Sequence, residues 1–140
     1  MKVMVLVKAT EKSEAGEMPS TEMLEAMGAY NEELVSAGIM LDGDGLRPTS
    51  QGVRIIQGGS RPEVVDGPFA ETKELLAGYW VWKVKDMDEA IEWARRAPNT
   101  GVDEGILELR PFVTAEDFGE ALTPELEAKE EELRNRTQGS

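Results

Sequence analysis

The fold is decided by residues 65–74, which read Val-Asp-Gly-Pro-Phe-Ala-Glu-Thr-Lys-Glu. Asp-Gly-Pro indicates a turn, because Asp bonds its own backbone, Gly allows positive φ, and Pro fixes φ at about −65°. Apolar strand-forming residues flank the turn on both sides. The turn is therefore predicted to hold a carboxylate and an aromatic ring in a loop between two strands, which is typical of a binding site. A tight strand connection with Phe69 as a hydrophobic plug fits the same pattern, and local chemistry alone favours this second interpretation.

Hydrophobic periodicity around this turn predicts two main helices, with Ser20 and Asp86 as N-caps and with Gly38 and Pro98 at their ends. It also predicts strands at residues 2–8, 39–46, 75–84 and 105–113, and a hairpin that pairs residues 53–57 with residues 61–65. The order is β-α-β-β-α-β with an inserted hairpin, a ferredoxin-like α+β fold whose antiparallel sheet carries its helices on one face. We assign residues 1–113 to this domain and residues 114–140 to a C-terminal helical extension with a frayed end.

The two central strands of this predicted sheet are apolar on both faces. In the strand at residues 75–84, Trp80 and Trp82 point to one face, and Tyr79 and Val81 point to the other. The helices of the domain are expected to cover one face, and a bare second face would be an exposed apolar patch. We therefore expect a second copy of the chain to cover it, which makes the protein a homodimer through the sheet face.

The composition excludes several classes of function. The 140 residues carry a net charge of −13, which disfavours direct binding to nucleic acid or to an anionic membrane surface. Without Cys or His the chain has no disulfide, no thiolate metal site and no Ser-His-Asp triad. No segment has the roughly 20 apolar residues of a membrane span, and none has the pattern of a signal peptide. We expect a cytoplasmic protein and predict neither a metal nor a cofactor.

Two basic residues are candidates to hold an anion. Arg47 follows the strand at residues 39–46, and a guanidinium binds a substrate carboxylate through two parallel hydrogen bonds. A surface ion pair in an acidic protein explains Arg47 equally well. Lys8 precedes a predicted polar loop at residues 10–18 and is a candidate for the rim of a pocket, although such residues are more often solvated.

Residues 66–69, Asp-Gly-Pro-Phe, together with residues 70–74 resemble the signature of the DGPF proteins in the YCII-related superfamily. Residues 27–34, 41–46 and 115–120 are also similar to that family, and the resemblance covers nearly the whole chain. It implies a ferredoxin-like α+β domain that dimerises through its sheet, an arrangement of the dimeric α/β-barrel type.

The resemblance also implies a small-molecule site near the turn. Asp66 would be the catalytic acid or base, tuned by burial beside Phe69. The ligand-binding residues implied here are Arg47, Gly67, Pro68, Phe69 and Lys73, and Lys8 is a further candidate to orient an anion. The family is suspected of chemistry built on a His–Asp arrangement. This chain has no His, and Arg47 stands where many relatives place one.

Three functions remain open at this point. The first is binding of a small molecule near the turn, with Asp-based acid–base chemistry. The second is a non-catalytic regulatory or protein-interaction module, because the DGPF proteins resemble companions of extracytoplasmic-function sigma factors. That link implies a role in transcription without direct contact to DNA. The third is a dimeric structural domain without a ligand. Whether the protein is an enzyme stays open.

Overall fold

The structure is a computed structural model, and it describes residues 1–99 and 105–138 with all of their side chains except that of Lys73. Six strands and four helices lie within these residues. In chain order they are β1 (Lys2–Lys8), α1 (Glu11–Glu14), α2 (Thr21–Ser36), β2 (Met40–Gly45), β3 (Val53–Ile56), β4 (Glu63–Asp66), β5 (Leu76–Lys83), α3 (Met87–Arg95), β6 (Leu107–Pro111) and α4 (Pro124–Gln138).

Four strands form an antiparallel sheet in the order β2-β5-β1-β6. The prediction that β1 is central is confirmed, because β1 pairs with β5 on one side and with β6 on the other. The pairing of β2 with β5 is irregular between Met40 and Asp42, as at a β-bulge. The chain therefore forms the predicted α+β fold.

The two long helices begin at the caps that the sequence predicts. The Ser20 hydroxyl accepts a hydrogen bond of 3.1 Å from the Met23 N–H, and the Asp86 carboxylate accepts one of 2.9 Å from the Glu89 N–H. Each bond satisfies a backbone donor that has no partner within its helix. These caps fix where α2 and α3 start after the strands that precede them.

The core lies between one face of the sheet and the helices α2 and α3. Val3 and Val5 of β1 stand opposite Trp82 and Trp80 of β5, and all four side chains are buried. Leu34 of α2 and Ala90 of α3 belong to the same buried cluster and pack on this face of the sheet. The helices thus cover one face, as predicted, and leave the other face of the sheet without cover from them.

Tyr30 links the two helices at the edge of the core. Its hydroxyl donates a hydrogen bond of 2.6 Å to the Trp93 carbonyl, and its ring meets Trp80 edge-on with the ring centroids 5.7 Å apart. Burial raises the pKa of Tyr30 to about 12. Tyr30 is therefore a packing residue whose hydroxyl lies at the edge of the core.

The inserted hairpin forms a separate two-stranded sheet of β3 and β4. Ile55 pairs with Val64 and Arg54 pairs with Val65, so one hairpin face carries Ile55 and Val64 and the other carries Arg54 and Val65. Ile55 and Val64 are 53% and 64% exposed. We call the face with Ile55, Val64 and Asp66 the outer face of the hairpin.

One region differs in detail from the expectations. The predicted polar loop at residues 10–18 contains the short helix α1, because Thr10 and Ser13 form a reciprocal capping box. After β6, residues 115–121 form a 3₁₀ segment, and α4 follows with every described residue exposed. Within the part of the chain that the structure describes, no helix is long and apolar enough to cross a membrane.

Candidate functional site

The candidate site is a groove at one end of the main sheet. Strands β1 and β2 finish at this end and the antiparallel β5 starts there, since Lys8 pairs with Leu76 and Gly45 pairs with Gly78. The segments that follow or precede these strand ends therefore gather in one place. The groove has a volume of about 500 Å³, within the usual range of small-molecule sites.

The groove has an apolar wall and a polar rim. Its wall is formed by Leu46, Val53, Phe69, Leu75 and Leu76, and its rim by Arg47, Pro48, Thr49, Gln51, Gly52, Arg54 and Glu74. Two of the predicted site residues, Arg47 and Phe69, thus line one cavity. Such a surface suits a small molecule with an apolar body and a charged group.

The Asp-Gly-Pro-Phe turn rests on the 3₁₀ turn at Thr49–Gln51. The Gly67 N–H donates a 3.0 Å hydrogen bond to the Gly52 carbonyl, and the Phe69 N–H donates one of 3.1 Å to the Thr49 hydroxyl. A Cβ at Gly67 would overlap the Thr49 carbonyl oxygen. The sequence predicted Gly here for positive φ, but Gly67 does not have positive φ. Close approach of two backbones is the reason for this glycine.

Arg54 lies over the face of the Phe69 ring, with its guanidinium carbon 3.8 Å from the ring centroid. Stacking of this kind contributes about 0.5–1 kcal/mol at an exposed site and leaves the N–H edge of the guanidinium available to an acceptor. Arg47, the other arginine of the groove, donates a long hydrogen bond of 3.3 Å to the Gln51 side chain. The groove therefore presents two guanidinium groups.

Neither guanidinium forms an ion pair in the described part of the chain, although Glu74 lies on the rim of the same groove. Among residues 1–99 and 105–138, no Asp or Glu lies within ion-pair distance of Arg47 or Arg54. The chain as a whole has 28 acidic and 15 basic residues, so acidic partners are plentiful elsewhere. The alternative interpretation of Arg47 was a surface ion pair. Arg47 forms no ion pair with any residue that the structure describes.

A carboxylate stands behind the groove at Thr49. The Glu14 Oε2 atom accepts hydrogen bonds from the Thr49 N–H at 3.0 Å and from the Thr49 hydroxyl at 3.1 Å. The Glu14 Oε1 atom is buried and has no hydrogen-bond partner in the described part of the chain. Glu14 thus connects α1 to the turn on which the Asp-Gly-Pro-Phe segment rests.

Asp66, Lys8 and Pro68 are not among the residues that line the groove. Asp66 ends β4 with its side chain exposed to water, so the expected burial beside Phe69 is wrong. Lys8 forms an ion pair of 3.4 Å with Glu108 and is not a rim residue. Pro68 is exposed and does not line the groove. The side chain of Lys73 lies outside what the structure describes.

Among the residues that the sequence did not assign to the site, three determine its geometry: Glu14, Thr49 and Arg54. Arg54 was open to prediction, because alternation along the hairpin places it on the face opposite Ile55. No local sequence pattern predicts the contact between Thr49 and Glu14. These residues are 35 positions apart, and they meet only because the strands that precede them end at the same edge of the sheet.

A second concavity, of about 480 Å³, lies at the start of α3 and is lined by Lys85, Asp86, Asp88, Glu89, Glu92 and Trp93. Its carboxylates form the acidic first turns of a capped helix, which is ordinary for a solvated helix start. None of the predicted site residues lies there. In the described ranges, no group of three or more acidic side chains is arranged to hold a metal ion.

Comparison with known proteins identifies the family. Residues 1–115 match the YCII-related domain. The chain belongs to the YCII-related family. An uncharacterised protein of Rhizobium meliloti (strain 1021) is 34% identical to this YCII-related chain over 86 residues, which are 61% of this chain and 69% of that protein. Every residue that lines the groove lies within the matched range.

One solved structure is similar at low identity. It is 5-chloro-2-hydroxyhydroquinone dehydrochlorinase from Burkholderia phenoliruptrix AC1100, in complex with 2,5-dihydroxybenzoquinone. The superposition has a TM-score of 0.47 with 14% sequence identity, and it covers 84% of this chain and 98% of that chain.

Proposed function

We propose that this YCII-related protein binds a small organic anion in the groove beside the Asp-Gly-Pro-Phe turn. The observation that carries the proposal is the convergence of Arg47 and Arg54 on one apolar cavity without a carboxylate partner among the described residues. In a chain with a net charge of −13, two guanidinium groups facing one groove form a local reversal of charge. An anionic ligand supplies the missing partner.

The chemistry of the groove defines how such a ligand would lie. A carboxylate binds a guanidinium through two parallel N–H···O bonds, so the charged end belongs at Arg47 and Arg54. The apolar body belongs against Leu75, Leu76 and the Phe69 ring, where it loses contact with water. A ring bearing one carboxylate satisfies both parts of the groove.

Acid–base chemistry by Asp66 has weaker support than binding. The carboxylate is exposed in a single chain and does not line the groove. We therefore propose binding, and not chemistry at Asp66, as the function.

Calorimetric titration with benzoate and with its neutral counterpart benzamide tests this function. We expect benzoate to bind more tightly than benzamide, and Arg54→Ala to weaken benzoate by about tenfold or more, since hydrogen bonds to charged groups contribute about 1.5–3 kcal/mol. Arg61→Ala, in the loop of the hairpin away from the groove, is the matched control and should leave the affinity unchanged. Equal binding of the two compounds, or equal loss in both variants, contradicts the proposal.

A protein-interaction module is the second candidate, and the exposed outer face of the hairpin favours it. Ile55 and Val64 form an adjacent apolar pair that water contacts in a single chain. An extracytoplasmic-function sigma factor is the partner to test by titration against the purified protein. We expect Ile55→Asp to abolish such binding if this candidate is right, whereas an unchanged affinity rules out the hairpin as the docking surface.

We also propose that a second copy of the chain covers the free face of the main sheet. Met4 and Leu6 of β1 lie beside Tyr79 and Val81 of β5 on that face, which the helices do not cover. Met4, Leu6 and Tyr79 remain partly exposed to water. Covering this apolar area favours association through the sheet.

A further inference from the structure

We infer that Glu14 is a positioning residue for the groove: its carboxylate fixes Thr49, and Thr49 in turn fixes Phe69 and the Arg54 stacked on it. The effect on ligand affinity rests on the proposed function, whereas the hydrogen-bonded chain itself does not. We call the set Glu14, Thr49 and Phe69 the clamp.

The clamp is continuous in hydrogen bonds. The Thr49 hydroxyl donates its one proton to Glu14 Oε2 at 3.1 Å, which leaves its lone pairs free to accept from the Phe69 N–H, also at 3.1 Å. A carboxylate that accepts only is therefore what sets the direction of the Thr49 hydroxyl. The Thr49 N–H donates to the same oxygen at 3.0 Å, so both polar groups of Thr49 are held by Glu14.

The second oxygen of Glu14 makes this placement of the carboxylate costly. The Oε1 atom is buried, with no hydrogen-bond partner among the residues that the structure describes. A buried carboxylate oxygen without a partner costs free energy, because it gives up its hydrogen bonds to water. The two bonds at Oε2 offset part of that cost.

The clamp reaches the groove through the Phe69 backbone. Its N–H is anchored at Thr49, and its ring lies directly under the Arg54 guanidinium at 3.8 Å. Arg54 belongs to a hairpin that pairs only with itself and not with the main sheet. Since a two-stranded sheet alone is marginally ordered, the anchored ring is what sets the position of the guanidinium at the groove.

Amide hydrogen exchange measured by NMR tests the clamp without any ligand. Thr49→Val removes the hydroxyl at nearly constant shape, and we expect exchange of the Phe69 amide to accelerate by about tenfold or more. The Gly67 amide bonds to the Gly52 carbonyl instead, so its exchange should stay unchanged and serves as an internal control. Glu14→Ala should accelerate Phe69 exchange in the same way, and Glu17→Ala, an exposed neighbour, should not.

Titration with benzoate then separates a positioning role from a merely structural one. We expect Thr49→Val and Glu14→Ala to weaken benzoate by about tenfold, and Thr49→Ser, which restores the hydroxyl, to return both benzoate affinity and Phe69 protection. Unchanged Phe69 exchange in Thr49→Val, or equal acceleration at Gly67, overturns the clamp. Faster Phe69 exchange with unchanged benzoate affinity overturns the positioning role. If the unmodified protein fails to bind benzoate, the proposed function fails while the exchange data still decide on the clamp.

Discussion

Gly67 shows how one residue fixes the position of the site. Its backbone lies against the Thr49 carbonyl, where any side chain would overlap the oxygen. The same residue donates its N–H to Gly52, so the Asp-Gly-Pro-Phe turn is seated on the neighbouring turn by contact and by hydrogen bond. The shape of the groove depends on these contacts of Gly67, because Phe69, which lines the groove, follows two residues later.

Gly67→Ala should destabilise the fold by about 1–3 kcal/mol or more, since the added methyl group forces two backbones apart. Gly28→Ala is the matched control, because a Cβ at that position in α2 meets nothing within 4 Å. Ala is favoured over Gly in a helix by about 1 kcal/mol, so the control should be neutral or slightly stabilising. Urea denaturation of both variants measures the difference in free energy of unfolding. Equal stability of the two variants would contradict a close backbone contact at Gly67.

At the scale of elements, most of the fold was open to prediction because each strand and helix carries its own local signal. The caps at Ser20 and Asp86, the apolar alternation of β1 and β5, and the hairpin sequence all specify local structure. The site was predicted in part. Arg47 and Phe69 line the groove, whereas Asp66 does not, because its side chain stands in water at the end of β4.

The misses share a physical cause. The contact of Glu14 with Thr49 joins α1 to a turn 35 residues away, and it exists only because β1 and β2 end at the same edge of the sheet. Local periodicity carries no information on such a contact. The short helix α1 was missed for a related reason, since a four-residue helix with one capping box leaves no apolar pattern.

The helix α4 contributes little to the stability of the domain, because each of its described residues is exposed. Removal of residues 123–140 should therefore lower the melting temperature by no more than about 3 °C, since it exposes little additional apolar surface of the domain to water. Differential scanning calorimetry of the shortened chain measures this. A loss of more than about 10 °C would mean that α4 packs on the domain or on a second copy.

At the scale of the whole molecule, the charges on the free face of the sheet specify how two copies would meet. Asp42 and Asp44 lie on β2 at one edge, and Arg110 lies on β6 at the other. The Tyr79 hydroxyl contacts Asp42 at 3.3 Å, and the negative charge of that carboxylate raises the pKa of Tyr79. A two-fold axis parallel to the strands brings Asp42 and Asp44 of each copy over Arg110 of the other, where Arg110 also lies 3.7 Å from Glu108 of its own chain.

Light scattering should give twice the chain mass of 15.4 kDa for the protein in solution. Leu6→Glu, at the centre of the free face, should yield monomers, because a charge is then buried between the sheets. Leu24→Glu is the control, on an exposed position of α2. Asp42→Arg should weaken association and Arg110→Asp should restore it in the double variant. A monomeric unmodified protein, or a dimer insensitive to Leu6→Glu, is incompatible with this assembly.

The central claim is that the groove beside the Asp-Gly-Pro-Phe turn binds an organic anion. It is tested most directly by following the backbone amide resonances of the isotope-labelled protein during titration with benzoate. The account predicts that the largest shifts fall on residues 46–54, on Phe69, and on Leu75 and Leu76. Largest shifts at the start of α3, where the second concavity lies, or no shifts at any amide, would contradict it.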